Sequence, residues 1–326
     1  MTTHSPEPRI AVPEQLQPDG MRGFDPAAEI VDFSGETMGT VWRVRASLVS
    51  GIDRDRVRAA IQHKLGEIVR QMSHWDDTSL LSEYNHAAPG HWANLPREFA
   101  TVIASGLTIA EATGGAFDPA IGRLTDLWGL GPNRRPDAPT AAQLGQALEQ
   151  SGWRRLAYDP ETRRLRQPGG LWLDLSGIAK GYAADAVADC LADLGIFHAL
   201  TEIGGECVGR GIRPDGDPWW VEAEAPYNFT GLPIRIALHQ LAIATSGDYL
   251  AGAHTIDPAT GELAIHSTSA VTVIHPSCMV ADAWASALLV LPPESAQTLA
   301  VREGICARLI SRSGDEWLSP TFAAML

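Results

Sequence analysis

Apolar and polar positions change period several times along the chain, and each change predicts an element. Residues 36–47, ETMGTVWRVRAS, alternate, with Trp42 and Val44 on one side and Val41, Arg43 and Arg45 on the other. That is the period of a strand led in by a glycine turn. From 54 to 72, Val57, Ile61, Leu65, Ile68 and Val69 recur at helical spacing. A second helix is predicted from about Arg97 to Thr113, stopping at Gly114-Gly115. A third covers about 119–128, with Pro119 in its first turn, where a missing N–H costs nothing. A fourth runs from a Thr140 cap to about Ser151. Trp172–Leu175 reads as a buried strand turning at Ser176-Gly177 into a helix that ends near Gly195. Further strands are predicted at 199–204, 219–224, 234–238, 241–245, 270–274 and 305–311, and helices at about 279–291 and 294–303. Strands and helices mix without a regular βαβ beat, which predicts an α+β fold of mixed sheets and packed helices. Residues 1–30, rich in Pro and charge and without a period, are expected as a flexible arm ahead of one domain over 31–326.

Composition narrows the function classes. The 326 residues carry 25 basic and 39 acidic side chains, a net charge of −14, which argues against a nucleic-acid footprint. A polyphosphate bound by such a chain needs local cationic help, and a metal ion supplies it. The four cysteines, Cys190, Cys207, Cys278 and Cys306, form no CxxC pair and read as reduced thiols. The N-terminus has no apolar h-region, and no stretch approaches the length of a membrane span. A cytoplasmic protein without a direct membrane anchor is expected.

Candidate chemistry sits in glycine-rich turns and at helix ends, each with a plainer reading beside it. Asp282 and Ser286 stand four apart on a predicted helix, so their oxygens share one face. They suit a hard, oxygen-seeking cation, or else a first-turn acid favoured by the helix dipole with a tolerated serine. DLSGIAKGYAADAVADCLADLG, 174–195, offers backbone N–H groups and Lys180 to a phosphate, or is an ordinary strand–turn–helix with a solvated lysine. In GGAFDPAIGRLTDLWGLG, 114–131, Phe117, Asp118 and Trp128 form either a wall and an acceptor for a planar heterocycle or a capped helix with two core aromatics. His254, in HTIDPATGEL, 254–263, is a general base or one of ten unremarked histidines.

Taken in order, MGT (38–40), MSHWDDTSLLSEYN (72–85), GAFDPAIGRLTDLWGLGP (115–132), DLSGIAKGYAADAVADCL (174–191), IGGE (203–206), ATSGDY (244–249), HTIDPATG (254–261) and ADAWASALLVL (281–291) resemble the ApbE family of FAD:protein FMN transferases. The resemblance implies a domain that holds FAD as substrate, with Mg²⁺ at its pyrophosphate. It implies an acceptor protein whose Thr or Ser hydroxyl receives FMN as AMP leaves. At matching positions it implies Asp282 and Ser286 as side-chain metal ligands, with the carbonyls of Ala179 and Ala285. Met38, Trp75, Ala116, Phe117, Asp118, Ser176, Tyr182 and Ile256 fall where the family contacts FAD, and His254 falls at the histidine that activates the acceptor hydroxyl.

The chain departs from the family pattern at several points. Ser286 stands where Thr is common, Trp75 where the MSxYD motif has Tyr, and Glu206 where Gly-Gly-Asp is usual. The family's lipoprotein signal is absent. The same site also fits an FAD pyrophosphatase giving FMN and AMP, and a non-catalytic FAD-binding protein is the remaining reading.

Overall fold

In the computed structural model, residues 7–13, 15, 18–133, 137–249 and 254–326 are described. The first half supplies β1 (Arg9–Ala11), β2 (Glu29–Thr37), β3 (Thr40–Leu48), α1 (Arg54–Met72), α2 (Leu80–His86), β4 (Trp92–Asn94), α3 (Arg97–Ala112), α4 (Gly122–Leu127), α5 (Ala141–Gln150), β5 (Ala157–Asp159) and β6 (Arg164–Arg166). The second half supplies α6 (Ala179–Asp193), β7 (Ala199–Ile203), β8 (Glu206–Arg210), β9 (Trp219–Glu222), β10 (Ile234–Leu238), β11 (Leu241–Gly247), β12 (Thr268–His275), α7 (Cys278–Val290), α8 (Pro293–Arg302), β13 (Cys306–Ser311), β14 (Glu316–Leu318) and α9 (Pro320–Ala323).

Eight strands form one antiparallel sheet in the order β14-β13-β12-β11-β8-β7-β3-β2. Its alternation follows the sequence. Along β3, Trp42, Val44 and Ala46 are buried while Arg43 and Arg45 face out, so the apolar side meets the helices. On that inner face, α7 packs on β11 and β12, and α6 on β7 and β8, with α1 and α3 outside them. This layer holds the main core. On the outer face, a small sheet, β1-β10-β9, packs through an apolar cluster that takes in Cys207 of β8, Ile243 of β11 and Ile274 of β12. The architecture is α+β, as the sequence predicts.

Three expectations change. Within the segment read as a free arm, Arg9–Ala11 pairs in parallel with Ile234–Ile236 of β10, and Ala11 is buried. The rest of the arm at residues 1–6, 14, 16 and 17 lies outside the described residues. Trp172–Leu175 joins no ladder. It is a buried extended stretch whose N–H groups go elsewhere, Leu173 N to Asn85 Oδ1 at 2.7 Å and Asp174 N to the Pro119 carbonyl at 2.9 Å. The third helix starts at Gly122 rather than at Pro119, because Asp118 takes the Ala120 N–H into a tight turn (2.8 Å).

Candidate active site

The floor of the site is the contact between α6 and α7. A Cβ on Gly181 would lie 2.4 Å from the Cys278 carbonyl oxygen and 2.8 Å from Asp282 Cβ, so only glycine permits the approach. The Gly181 N–H donates to Asp282 Oδ2 at 2.9 Å. In return, Asp185 of α6 caps the start of α7. Its carboxylate accepts from Cys278 N (2.9 Å), Met279 N (3.0 Å) and Ser277 Oγ (2.7 Å). Burial pushes the Asp185 carboxyl above its ordinary value, and these three bonds pull against that rise.

Three charged groups meet above this contact. Asp282 and Glu206 are each 3% exposed, and Lys180 Nζ lies 2.5 Å from Glu206 Oε1. Burial raises the Glu206 carboxyl to about 8 although Lys180 opposes the rise. Burial raises Asp282 as well, again against Lys180. Burial alone would lower Lys180, but Glu206 and Asp282 together carry its pKa above the ordinary lysine range. Glu206 Oε2 is buried without a hydrogen-bond partner. Ser286 Oγ lies 3.1 Å from Ser246 Oγ, on the same helical face as Asp282. Two carboxylates with an unsatisfied oxygen, beside a hydroxyl, are a donor set suited to a hard divalent cation. Among the described residues, no group of three or more His, Cys, Asp or Glu forms a metal-binding cluster, so a cation here would draw on hydroxyl and carbonyl oxygens too.

These side chains line a cavity of about 340 Å³ that also takes in Ala116, Phe117, Asp118, Ser176, His254 and Ile256. Through Ser176 and Lys180 it adjoins a smaller cavity of about 130 Å³ formed by Met38, Trp75, Ser176 and Ala179. Met38 and Gly39 turn β2 into β3 with φ of 50° and 71°. A primed two-residue turn accepts glycine readily, whereas methionine there is strained. The strain sets Met38 beside Trp75, which is 64% exposed and presents an open aromatic face. Ser176 is fixed by its N–H to Asp174 Oδ1 (2.8 Å), and Asp174 Oδ2 accepts from Thr125 Oγ1 (2.5 Å). Ala116 and Asp118 also open onto a third cavity, of about 440 Å³, with Trp153 and Arg154. Burial lifts the Asp118 carboxyl to about 6, opposed by N–H bonds from Trp153 and Ala120.

His254 is exposed and lies two residues before a short loop closed by an Ile256–Leu263 bridge. The loop is anchored by buried Ile256, which packs with Leu124 and Ala147, and by Trp128 Nε1 donating to the Gly261 carbonyl at 2.7 Å.

Of the residues singled out in the sequence, Met38, Trp75, Ala116, Phe117, Asp118, Ser176, Ala179, His254, Ile256, Asp282 and Ser286 thus line adjoining cavities. Tyr182 and Ala285 line none of the three. Burial pushes the Tyr182 phenol up to about 12, with Glu98 raising and Lys64 lowering it, which places it toward the α1 and α3 side of α6. Ala285 is fully buried within α7. The sequence reading did not pick out Asp185 or the Glu206–Lys180 pair as parts of one centre. The available signal was an acid amid the apolar positions of the α6 segment.

Comparison with known proteins gives a consistent picture. Residues 38–309 match the ApbE family. The FAD:protein FMN transferase of Klebsiella pneumoniae is 33% identical over 317 residues, covering 92% of this chain and 91% of that protein. The Salmonella typhimurium FAD:protein FMN transferase is 34% identical over 320 residues, covering 92% and 90%. Among solved structures, the flavin transferase ApbE from Vibrio cholerae has a TM-score of 0.86 at 34% identity, covering 92% of this chain and 100% of that one. The apo flavinyl transferase ApbE of Pseudomonas stutzeri has a TM-score of 0.85 at 32% identity, covering 91% and 97%.

Proposed function

The chain belongs to the ApbE family, and from that premise we propose that it is an enzyme that moves FMN from FAD to a threonine or serine hydroxyl of an acceptor protein, releasing AMP with the help of Mg²⁺. The observation that carries this reading is Asp282, a buried carboxylate that faces the same cavity as Ser286 and the exposed His254. A charge-holding floor and an accessible base then meet at one place.

The residues divide the work. Trp75 and strained Met38 offer a face and an edge to the flavin ring. Ser176, at the turn before α6, and Lys180 lie where the pyrophosphate would cross from the smaller cavity to the larger. Asp282, the Ser286 hydroxyl and the Ala179 carbonyl would hold the cation, which when bound neutralises the pyrophosphate and polarises its phosphorus. His254 takes the proton of the acceptor hydroxyl. The hydroxyl oxygen bonds to the FMN-side phosphorus, the bond from that phosphorus to the bridging oxygen breaks, and AMP leaves with the electron pair. The four cysteines are free, which suits a reducing compartment, and we place the reaction in the cytoplasm. Among the described residues, no helix is long and apolar enough to cross a membrane.

The test is to incubate the purified protein with FAD and Mg²⁺, with and without a cell extract. Covalent flavin is then followed by in-gel fluorescence, and AMP by chromatography. A fluorescent protein band, identified by mass spectrometry, together with equimolar AMP is expected. Free FMN and AMP formed at the same rate without any labelled band would replace the transferase with an FAD pyrophosphatase.

A further inference from the structure

The outer face of the large sheet carries a cleft of about 630 Å³, almost twice the size of the cavity around Asp282. Its floor is a row of directly opposed residues on five neighbouring strands, Ser34, Arg43, Glu202, Cys207 and Ile243. Its wall is Trp220 and Glu222 of β9, from the small sheet. The row starts at β2, the edge of the sheet, and ends at β11. There Thr245 lines both this cleft and the cavity that contains Asp282 and His254.

The sheet separating the two spaces is thin at that end. Pairing between β8 and β11 runs only as far as Cys207 opposite Ile243. Beyond it lies the β7–β8 turn, Gly204-Gly205, which carries no side chains. The rim near this passage is aromatic. Tyr249 donates to Glu224 of the cleft lining at 2.5 Å, and Tyr227, three residues on from Glu224, is 89% exposed. Toward the β2 edge the floor is polar and already paired, Arg43 with Glu202 at 4.0 Å and Arg45 with Asp32 at 2.9 Å, while Cys207 and Ile243 at the β11 end belong to the apolar cluster beneath the small sheet. Five strands about 4.8 Å apart make the row about 19 Å long, the reach of about six extended residues. An exposed Tyr at the rim and the half-buried Trp220 in the wall are side chains of the kind that anchor a polypeptide.

We propose that this cleft receives the extended segment of the acceptor protein that carries the hydroxyl, entering over the β2 edge and delivering the hydroxyl past Thr245. The inference rests on the transferase reading above. It separates the two substrates by face, with FAD on the helix side of the sheet and the polypeptide on the other, so that they meet only at the end of β11.

The experiment uses the full chain and, as probe, the protein band labelled by wild type in the gel assay. Two exposed positions outside the FAD cavities are changed, Tyr227→Ala at the rim and Ser34→Trp, which fills the floor near the entrance. In both, the KM for the probe protein is expected to rise about tenfold or more, the loss of one anchoring contact. FAD affinity, FAD turnover without acceptor, and thermal midpoint stay at wild-type values. Unchanged KM in both folded variants overturns the proposal, and so does a loss of FAD affinity, which would give the cleft to the nucleotide. If wild type labels no protein, the transferase reading fails first and the docking proposal falls with it, a result seen before any variant is made.

Discussion

The floor and the lip of the active site are built in opposite ways. Asp282 sits in the middle of a buried helix, tied to α6 by the Gly181 N–H, with Lys180 and Glu206 locked beside it. His254 is exposed, two residues before Ile256, where the segment is anchored by the buried Ile256 side chain and, at Gly261, by Trp128. The difference fits the tasks proposed for the two residues. A group that holds charge gains from a fixed, low-dielectric place. A group that must take a proton from an incoming macromolecule needs to be reachable before that partner arrives.

The largest expected effect breaks the floor. Asp282→Asn keeps an oxygen for the Gly181 N–H but removes the charge, and transfer at saturating Mg²⁺ should fall about 10³-fold, several kcal/mol of charge stabilisation. A folded variant with near-wild-type turnover would remove Asp282 from the ligand set. The lip gives the next effect. His254→Ala should slow transfer about 10²-fold and leave the FAD dissociation constant alone. Lost affinity with an unchanged rate at saturation would make His254 a binding residue.

A smaller effect lies between the two regions, at Asp118. Burial holds its carboxyl at about 6 against an ordinary 3.8. The protonated form is therefore the one favoured by folding. Its contribution is complete below about pH 4 and is lost as pH rises to about 6, a span of about 3 kcal/mol at most. Denaturation of wild type and Asp118→Asn across that window should show wild type losing stability relative to the variant as pH rises; a flat difference would mean that folding does not shift the Asp118 pKa. The mildest effect sharpens the flavin end. Met38→Asn relieves a left-handed methionine, so stability should rise by about 1 kcal/mol while FAD binding weakens. If binding is unchanged, the strain at Met38 serves no ligand.

How much of this was legible in the sequence depended on how local each feature is. Helix α7 was placed within a residue at each end, because Ser277 caps it and the apolar run fills it. β10, Ile234–Leu238, fell where predicted. β8 was missed because it lies between β7 and β11 and is buried on both faces, so its residues show no alternation. The run Trp172–Leu175 was read as a strand because periodicity cannot distinguish a ladder from a buried stretch bonded to Asn85. β1 escaped for a different reason, since its partner is more than two hundred residues away. At the site, Asp282 and Ser286 could be paired by their spacing on one helix. Glu206 and Lys180 could not, because nothing local brings a β8 acid to an α6 lysine. Tyr182, on the same helix, is not among the residues lining the cavities that Ala179 and Lys180 line.

The bonds between α6 and α7 run both ways, from Gly181 to Asp282 and from the first amides of α7 to Asp185. Neither helix can lift from one end without stranding buried donors of the other, at about 1–3 kcal/mol for each. The pair should therefore open only when the whole domain opens. In deuterium, the amides of Gly181, Cys278 and Met279 should exchange with the slowest class in the protein, while those around His254 exchange early. Such an enzyme would keep the geometry of the floor proposed for the cation through every turnover and confine its breathing to the side of His254.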